Sequence, residues 1–195
     1  MTDQQQTTGS PLDQLREAHG VFLEVLSNVR PDQMSLPTPD DEWDVRALLN
    51  HVVAGNWWAA ELAAGKTIEQ VGDRLDGDVI GSDPLDAWDD SAAAAAAAFE
   101  MPGALSAPCA VSYGPVPGEV YAGHRFLDVL LHGWDLAKAT GQSTRLDPAL
   151  VDAALDVLTP QWEPMRASGA FRTDVPVPDD GDPQTRLLAM VGRTP

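Results

Sequence analysis

Three side chains with the chemistry of metal ligands recur in the stretch Gly123-His124-Arg125-Phe126-Leu127-Asp128-Val129-Leu130-Leu131-His132-Gly133-Trp134-Asp135-Leu136. The apolar residues there fall at helical spacing, and the helix-breaking Gly141 follows. His124, Asp128 and His132 stand four residues apart in succession, so they project from one helix face. Imidazole and carboxylate both ligate divalent transition metals. One helix can rarely supply all three to one ion. At 1.5 Å per residue the two histidines are about 12 Å apart along the axis, whereas ligand bonds are only about 2 Å long. The spacing therefore predicts one adjacent pair, His124 with Asp128 or Asp128 with His132. A further ligand must come from elsewhere. The chain has four histidines, which leaves His19 and His51 as candidates.

Composition narrows the partners. The chain carries 12 basic and 30 acidic residues, a formal net charge of −18. Such a surface repels a phosphate backbone and argues against nucleic acid. The same charge argues against docking on an anionic membrane, and no apolar run is long enough to span a bilayer. The polar start Met1-Thr2-Asp3-Gln4-Gln5-Gln6 lacks the apolar core of a signal peptide. Cys109 is the only cysteine, so no intrachain disulfide is expected, in keeping with a reducing cytoplasm.

The elements that must position these residues are helices. Residues 1–10 read as a disordered N-terminus and residues 11–195 as a single domain. Long helices are predicted from Pro11 to about Val29, from Trp43-Asp44 to about Ala64, from Asp83-Pro84 to about Glu100, and from about Glu119 to Ala139. Asp44 or Asp41 is the N-cap of the second, and proline suits the first turn of the others that carry it. Asp147-Pro148 opens a further helix to about Leu158. Trp162 and Met165 are expected to pack a short turn, and Asp182-Pro183 caps a short C-terminal helix. Met101 to Gly118 is a Pro- and Gly-rich connection with an extended piece near Ala110–Tyr113; it reads either as a lid over the bundle end or as ordinary linkage. Gly65-Lys66-Thr67 lacks the upstream glycine and strand of a phosphate loop. Four long helices and no convincing alternating strand predict an all-α four-helix bundle with a short extra C-terminal helical segment. Leu48, His51, Gly55, Trp58 and Leu62 share one stripe of the second helix, so His51 points along an apolar, aromatic face.

Two segments resemble a known family. Trp43-Asp44-Val45-Arg46-Ala47-Leu48-Leu49-Asn50-His51 resembles the Trp-x-Val-Arg-x-Leu-x-x-His signature of DinB-like bundles, in the branch of mycothiol-dependent maleylpyruvate isomerase. Asp128-Val129-Leu130-Leu131-His132-Gly133-Trp134-Asp135-Leu136 is similar to that branch's acid-x-x-x-His-Gly-x-Asp-Leu. Val175-Pro176-Val177-Pro178, Arg186-Leu187-Leu188-Ala189 and Gly192-Arg193 resemble the actinobacterial subgroup described as metal-binding proteins. The resemblance implies a divalent metal, usually zinc, held by His51, Asp128 and His132, with nickel, iron or manganese as alternatives. It places His124 at the bundle rim. The isomerase has Glu where this chain has Asp128, so the metal must sit closer to this helix or be held differently. It also has a further C-terminal domain contributing to its active site. This chain is expected to lack that domain, which argues against maleylpyruvate isomerisation itself.

A three-ligand site with an open position is the catalytic pattern. A cation beside a thiol favours the reactive thiolate, so the resemblance implies a metal-dependent transferase or isomerase using mycothiol or another low-molecular-weight thiol, with an electrophilic co-substrate. The rival expectations are a bundle of the same fold that binds metal or a small ligand without turnover, and a metal-free bundle. Asp135, about one turn beyond His132, is a candidate to orient an imidazole. Arg46 and Arg125 are candidates for an anionic substrate, and Trp57, Trp58 and Trp134 for a pocket mouth. The fold is compatible with a homodimer.

Overall fold

The computed structural model describes residues 9–40, 42–167, 175–178 and 181–194. Most of residues 1–10, Asp41 as an alternative cap and the side chain of Met165 fall outside what it describes. Four long helices carry the architecture: α1 (Pro11–Ser27), α2 (Val45–Ala63), α4 (Pro84–Glu100) and α5 (Gly118–Thr140). Shorter helices are α3 (Ile68–Val71), α6 (Pro148–Leu158), α7 (Trp162–Ala167) and α8 (Pro183–Met190). Among the described residues the fold is all-α apart from a two-stranded antiparallel ladder of β1 (Pro108–Cys109) and β2 (Val116–Pro117). These strands flank the segment in which the sequence predicted an extended piece.

Helix starts follow local chemistry. Ser10 Oγ accepts from the Asp13 amide while the Asp13 carboxylate takes the Ser10 amide, a reciprocal capping box. Asp44 Oδ1 accepts from Ala47 N at 2.8 Å, and Asp83, Asp147 and Asp182 cap α4, α6 and α8 in the same way. Thr67 caps α3, so the Gly65-Lys66-Thr67 run is helix punctuation. Helix α1 stops at Ser27, two residues before the expected Val29. There the Asn28 side chain donates to Glu24 O at 2.8 Å, and a 3-10 turn follows at Pro31–Gln33. Gly141, with φ +73°, ends α5 in the left-handed conformation that glycine adopts without strain.

Helix α1 packs mainly on α5 and α2 mainly on α4, with α2–α5 and α1–α4 completing a ring. Chain neighbours α1 and α2 therefore stand at opposite corners, and so do α4 and α5. This connectivity brings α2 against α5, the two helices that bear the candidate ligands. Phe22 stacks on Trp88 at 4.1 Å between ring centres, near the middle of the core. Gly133 faces α1, where a Cβ would make ordinary contact with the Phe22 ring at 3.4 Å. The connection 101–117 runs beside α5, where Gly118 N donates to Ala107 O and Glu119 N to Leu105 O. It buries Cys109 and Val111. Among the described residues no helix is long and apolar enough to cross a membrane.

Candidate metal centre

Helix α2 supplies His51 and α5 supplies Asp128 and His132. Their donor atoms all lie within 4.8 Å of one another. Asp128 Oδ1 stands 3.5 Å from His51 Nε2 and 3.6 Å from His132 Nε2. Ligands about 2.1 Å from a tetrahedral ion are separated by about 3.4 Å, close to the two spacings from Asp128. Asp128 Oδ1 is nearly equidistant from the two imidazoles.

Neighbouring groups fix the direction of the two α5 side chains. His132 is 7% exposed and Asp135 0%. Asp135 Oδ2 lies 3.0 Å from His132 Nδ1. Arg193 Nη2 and Nε donate to Asp135 Oδ2 and Oδ1 at 2.7 and 3.1 Å. Burial alone would raise the Asp135 pKa, but bonds from His132 and Arg193 outweigh it and hold the carboxyl below its usual range. An ionised carboxylate only accepts, so His132 Nδ1 carries the proton and Nε2 presents a lone pair to the centre. Arg125 Nη1 donates to Asp128 Oδ2 at 2.8 Å, which leaves Oδ1 for the centre. Burial opposes ionisation of Asp128 as well, yet Arg125, His132 and His51 together press its pKa far below the carboxylate norm. His51 Nε2 is buried and makes no hydrogen bond. A carboxylate oxygen and two imidazole nitrogens thus converge on one point. A divalent cation is the species such a donor set fits.

Arg125 belongs to a buried network rather than to a substrate-facing rim. Its Nη2 donates to Asn56 Oδ1 at 3.1 Å and to Val52 O at 3.4 Å. Asn56 Oδ1 also meets His19 Nε2 at 3.3 Å, and Asn56 Nδ2 donates to Ser91 Oγ at 3.3 Å. Gly55 makes room for the guanidinium, since a Cβ there would lie 2.3 Å from Arg125 Nη1. Gly55→Ala is therefore expected to push Arg125 off Asp128. It should lower zinc affinity by about tenfold and forfeit the gain of about 1 kcal/mol that alanine brings to an open helix position. Zinc titration and thermal melts check both; unchanged affinity would show that Arg125 does not position Asp128.

The remaining sequence candidates lie elsewhere. Arg46 pairs with Asp78 at 2.7 Å and donates to Gly81 O at 2.9 Å, holding the loop 72–83. Trp57 and Trp58 are partly buried against the core. Trp134 is in the core, with the Lys138 ammonium 4.7 Å from its ring centre. His19 is 37 residues from its partner Asn56 and takes no part in the ligand group. His124 lies one turn before Asp128, between Tyr113 and Gln161. Sequence reasoning missed Trp43, whose ring centre is 4.4 Å from that of His51 and 5.5 Å from that of His132. It also missed Arg193 and Asn56. The i, i+3 spacing of Arg125 and Asp128 was a signal for that pair; Arg193, 58 residues from Asp135, left none.

Comparison with known proteins gives two findings. The family model described as "Mycothiol maleylpyruvate isomerase N-terminal domain" matches residues 15–137. Two curated proteins of Mycobacterium tuberculosis, "Uncharacterized protein MT0763" of strain CDC 1551 / Oshkosh and "Uncharacterized protein Rv0738" of strain H37Rv, are each 41% identical over 189 residues. In both cases the alignment covers 94% of this chain and 98% of the relative. No solved structure matches the chain significantly.

Proposed function

The chain belongs to the mycothiol maleylpyruvate isomerase N-terminal domain family, and from that membership we propose a centre for metal-dependent thiol chemistry. In this reading His51, Asp128 and His132 hold one divalent ion, zinc first among the candidates. The observation that carries it is the convergence of Asp128 Oδ1, His132 Nε2 and the unpartnered His51 Nε2. A bound divalent cation would supply a lowered pKa for an incoming thiol, so that the nucleophilic thiolate forms at neutral pH. The thiol is of the mycothiol type, and its partner is a small electrophile. This makes the protein a thiol transferase or isomerase by class.

The protein's own residues do the rest. Arg125 and Asp135 keep the two α5 ligands aimed. Trp43 covers both imidazoles with an apolar ring, which limits water at that side. Asp128 and His51 remain partly open, with 30% and 39% of their side chains exposed, so a small molecule approaches from their side.

Elemental analysis of protein purified without chelator or affinity tag tests the metal. About one zinc or similar ion per chain is expected, and His51→Ala should lose most of it. Full occupancy in His51→Ala together with loss in His124→Ala would overturn the ligand assignment. Consumption of mycothiol with an electrophile by the loaded protein separates turnover from binding alone.

A further inference from the structure

A second polar cluster is built on His124, one helical turn before Asp128 on α5. Between Tyr121 and Ala137, α5 has only two residues that are not buried, His124 and Asp128. They are one turn apart, so the exposed stripe that carries the ligand Asp128 continues onto His124. His124 is itself spanned on both sides. Tyr113 Oη lies 2.6 Å from its Nδ1, and Gln161 Oε1 lies 2.8 Å from its Nε2. Tyr113 comes from the connection between β1 and β2 and is 63% exposed.

The partners of His124 favour one order of protons. Gln161 Nε2 donates to Val157 O at 3.1 Å, so the amide oxygen is the atom facing His124. An amide oxygen only accepts, so His124 Nε2 carries a proton. Neutral His124 then has a bare Nδ1, and the Tyr113 hydroxyl must donate to it. The one Tyr113 proton is committed, and the oxygen of this exposed residue has only lone pairs left to offer. Burial lowers the His124 pKa and raises that of Tyr113, so both are neutral at pH 7. This is the donor–imidazole–acceptor order of a hydrolase triad, with tyrosine in the outer position.

We propose that Tyr113, His124 and Gln161 form a proton relay that takes the S–H proton of a low-molecular-weight thiol bound beside Asp128. The inference rests on the thiol reading of the centre. In the step, the S–H bond breaks and sulfur keeps the electron pair. The proton passes to Tyr113 Oη as the tyrosine's own proton passes to His124 Nδ1. Gln161 Oε1 holds the imidazolium through Nε2–H. When the thiolate adds to an electrophilic double bond, the C–S bond forms and the π pair moves to the neighbouring carbon. That carbon takes a proton from Tyr113, and His124 returns the one it held. The thiol has then added across the double bond, with no further reactant. Tyr113 is the catalytic residue; Gln161 positions His124 by fixing its tautomer.

Two measurements test the relay. Nitrogen-15 NMR of the imidazoles should show neutral His124 protonated on Nε2, and a proton on Nδ1 instead would overturn the proposal at once. Stopped-flow mixing of zinc-loaded protein with mycothiol should then show thiolate by ultraviolet difference absorbance. Tyr113→Phe and His124→Gln should slow its appearance by about tenfold or more, at unchanged zinc content. Equal rates in wild type and variants would overturn the relay and leave the thiol centre standing. A wild type that gives no thiolate would overturn the thiol reading and the relay with it.

Discussion

Asp128→Asn is expected to lower zinc affinity by at least about a hundredfold and to leave a folded protein. The argument is local. Arg125 Nη1 must keep an acceptor, so the asparagine carbonyl takes the place of Oδ2. The amide nitrogen then faces His51 Nε2 and His132 Nε2 and donates to them, which fills the cradle with hydrogen bonds instead of ligands. Arg125 loses its charge partner but keeps Asn56 and Val52 O. Exchanging an ionic acceptor for a neutral one lowers stability, which a thermal melt of the metal-free protein would register as a separate effect. Asp135→Asn should be milder. Its carbonyl still accepts from His132 Nδ1, but its amide now meets the Arg193 guanidinium, donor against donor. Disturbing a partner of this kind costs about 10–100-fold in metal affinity. Competition with a chromophoric chelator ranks the variants, with Asp128→Asn weakest, Asp135→Asn between, and His124→Gln equal to wild type. Wild-type affinity in Asp128→Asn would mean that the centre is not built on this carboxylate.

What was legible in the sequence is what short-range spacing sets. Asp128 and His132 share a face because they are four residues apart, and the caps at Asp44, Asp83, Asp147 and Asp182 are local side-chain-to-amide bonds, whereas the Ser10 capping box fell in a stretch read as disordered. His51 was legible as a histidine on an apolar helix stripe, but only the family resemblance preferred it to His19. Spacing treats the two alike. The difference is the ring order of the bundle, which sets α2 beside α5 at the ligand level and gives His19 to Asn56 instead. Packing order depends on contacts distant in sequence, and no window along the chain encodes it. Arg193 illustrates the same limit. The Gly192-Arg193 pair could be quoted as part of a family pattern, yet its task, a two-pronged grip on Asp135, exists only once the C-terminal segment has folded back onto α5. Tyr113 also came into play through a connection whose path the sequence left open.

Acidification from pH 7 to pH 5 should destabilise the metal-free protein through His19, by about 2 kcal/mol. His19 sits in the network that supports Arg125. Burial, then the nearby Arg125 charge, depress its pKa to about 4, against a partial offset from the bond to Asn56. In the unfolded chain a histidine titrates near 6.5. Between those values the unfolded state binds more protons than the folded one, so stability rises with pH. The contribution is complete above about 6.5 and falls as pH drops, levelling off below about 4. Asn56 accepts from Arg125 and donates to Ser91, so its oxygen calls for an N–H from His19, and the Trp88 ring stands edge-on 5.5 Å away. A protonated imidazole would place a second cation beside Arg125 with no added acceptor. His124 is shifted in the same direction, and the depressed carboxylates Asp128 and Asp135 add acid sensitivity only below about pH 4. His19→Gln keeps an N–H for Asn56 and removes the titration. Urea unfolding of chelator-treated wild type and His19→Gln at several pH values isolates the residue, since the difference between the two curves cancels every other group. The difference should change by about 2 kcal/mol over this interval; parallel curves would mean that His19 is protonated as readily in the folded bundle as in the unfolded chain. The same protonation would loosen Asn56 from Arg125 and hence Arg125 from Asp128, so zinc affinity in wild type should fall more steeply with acid than in His19→Gln.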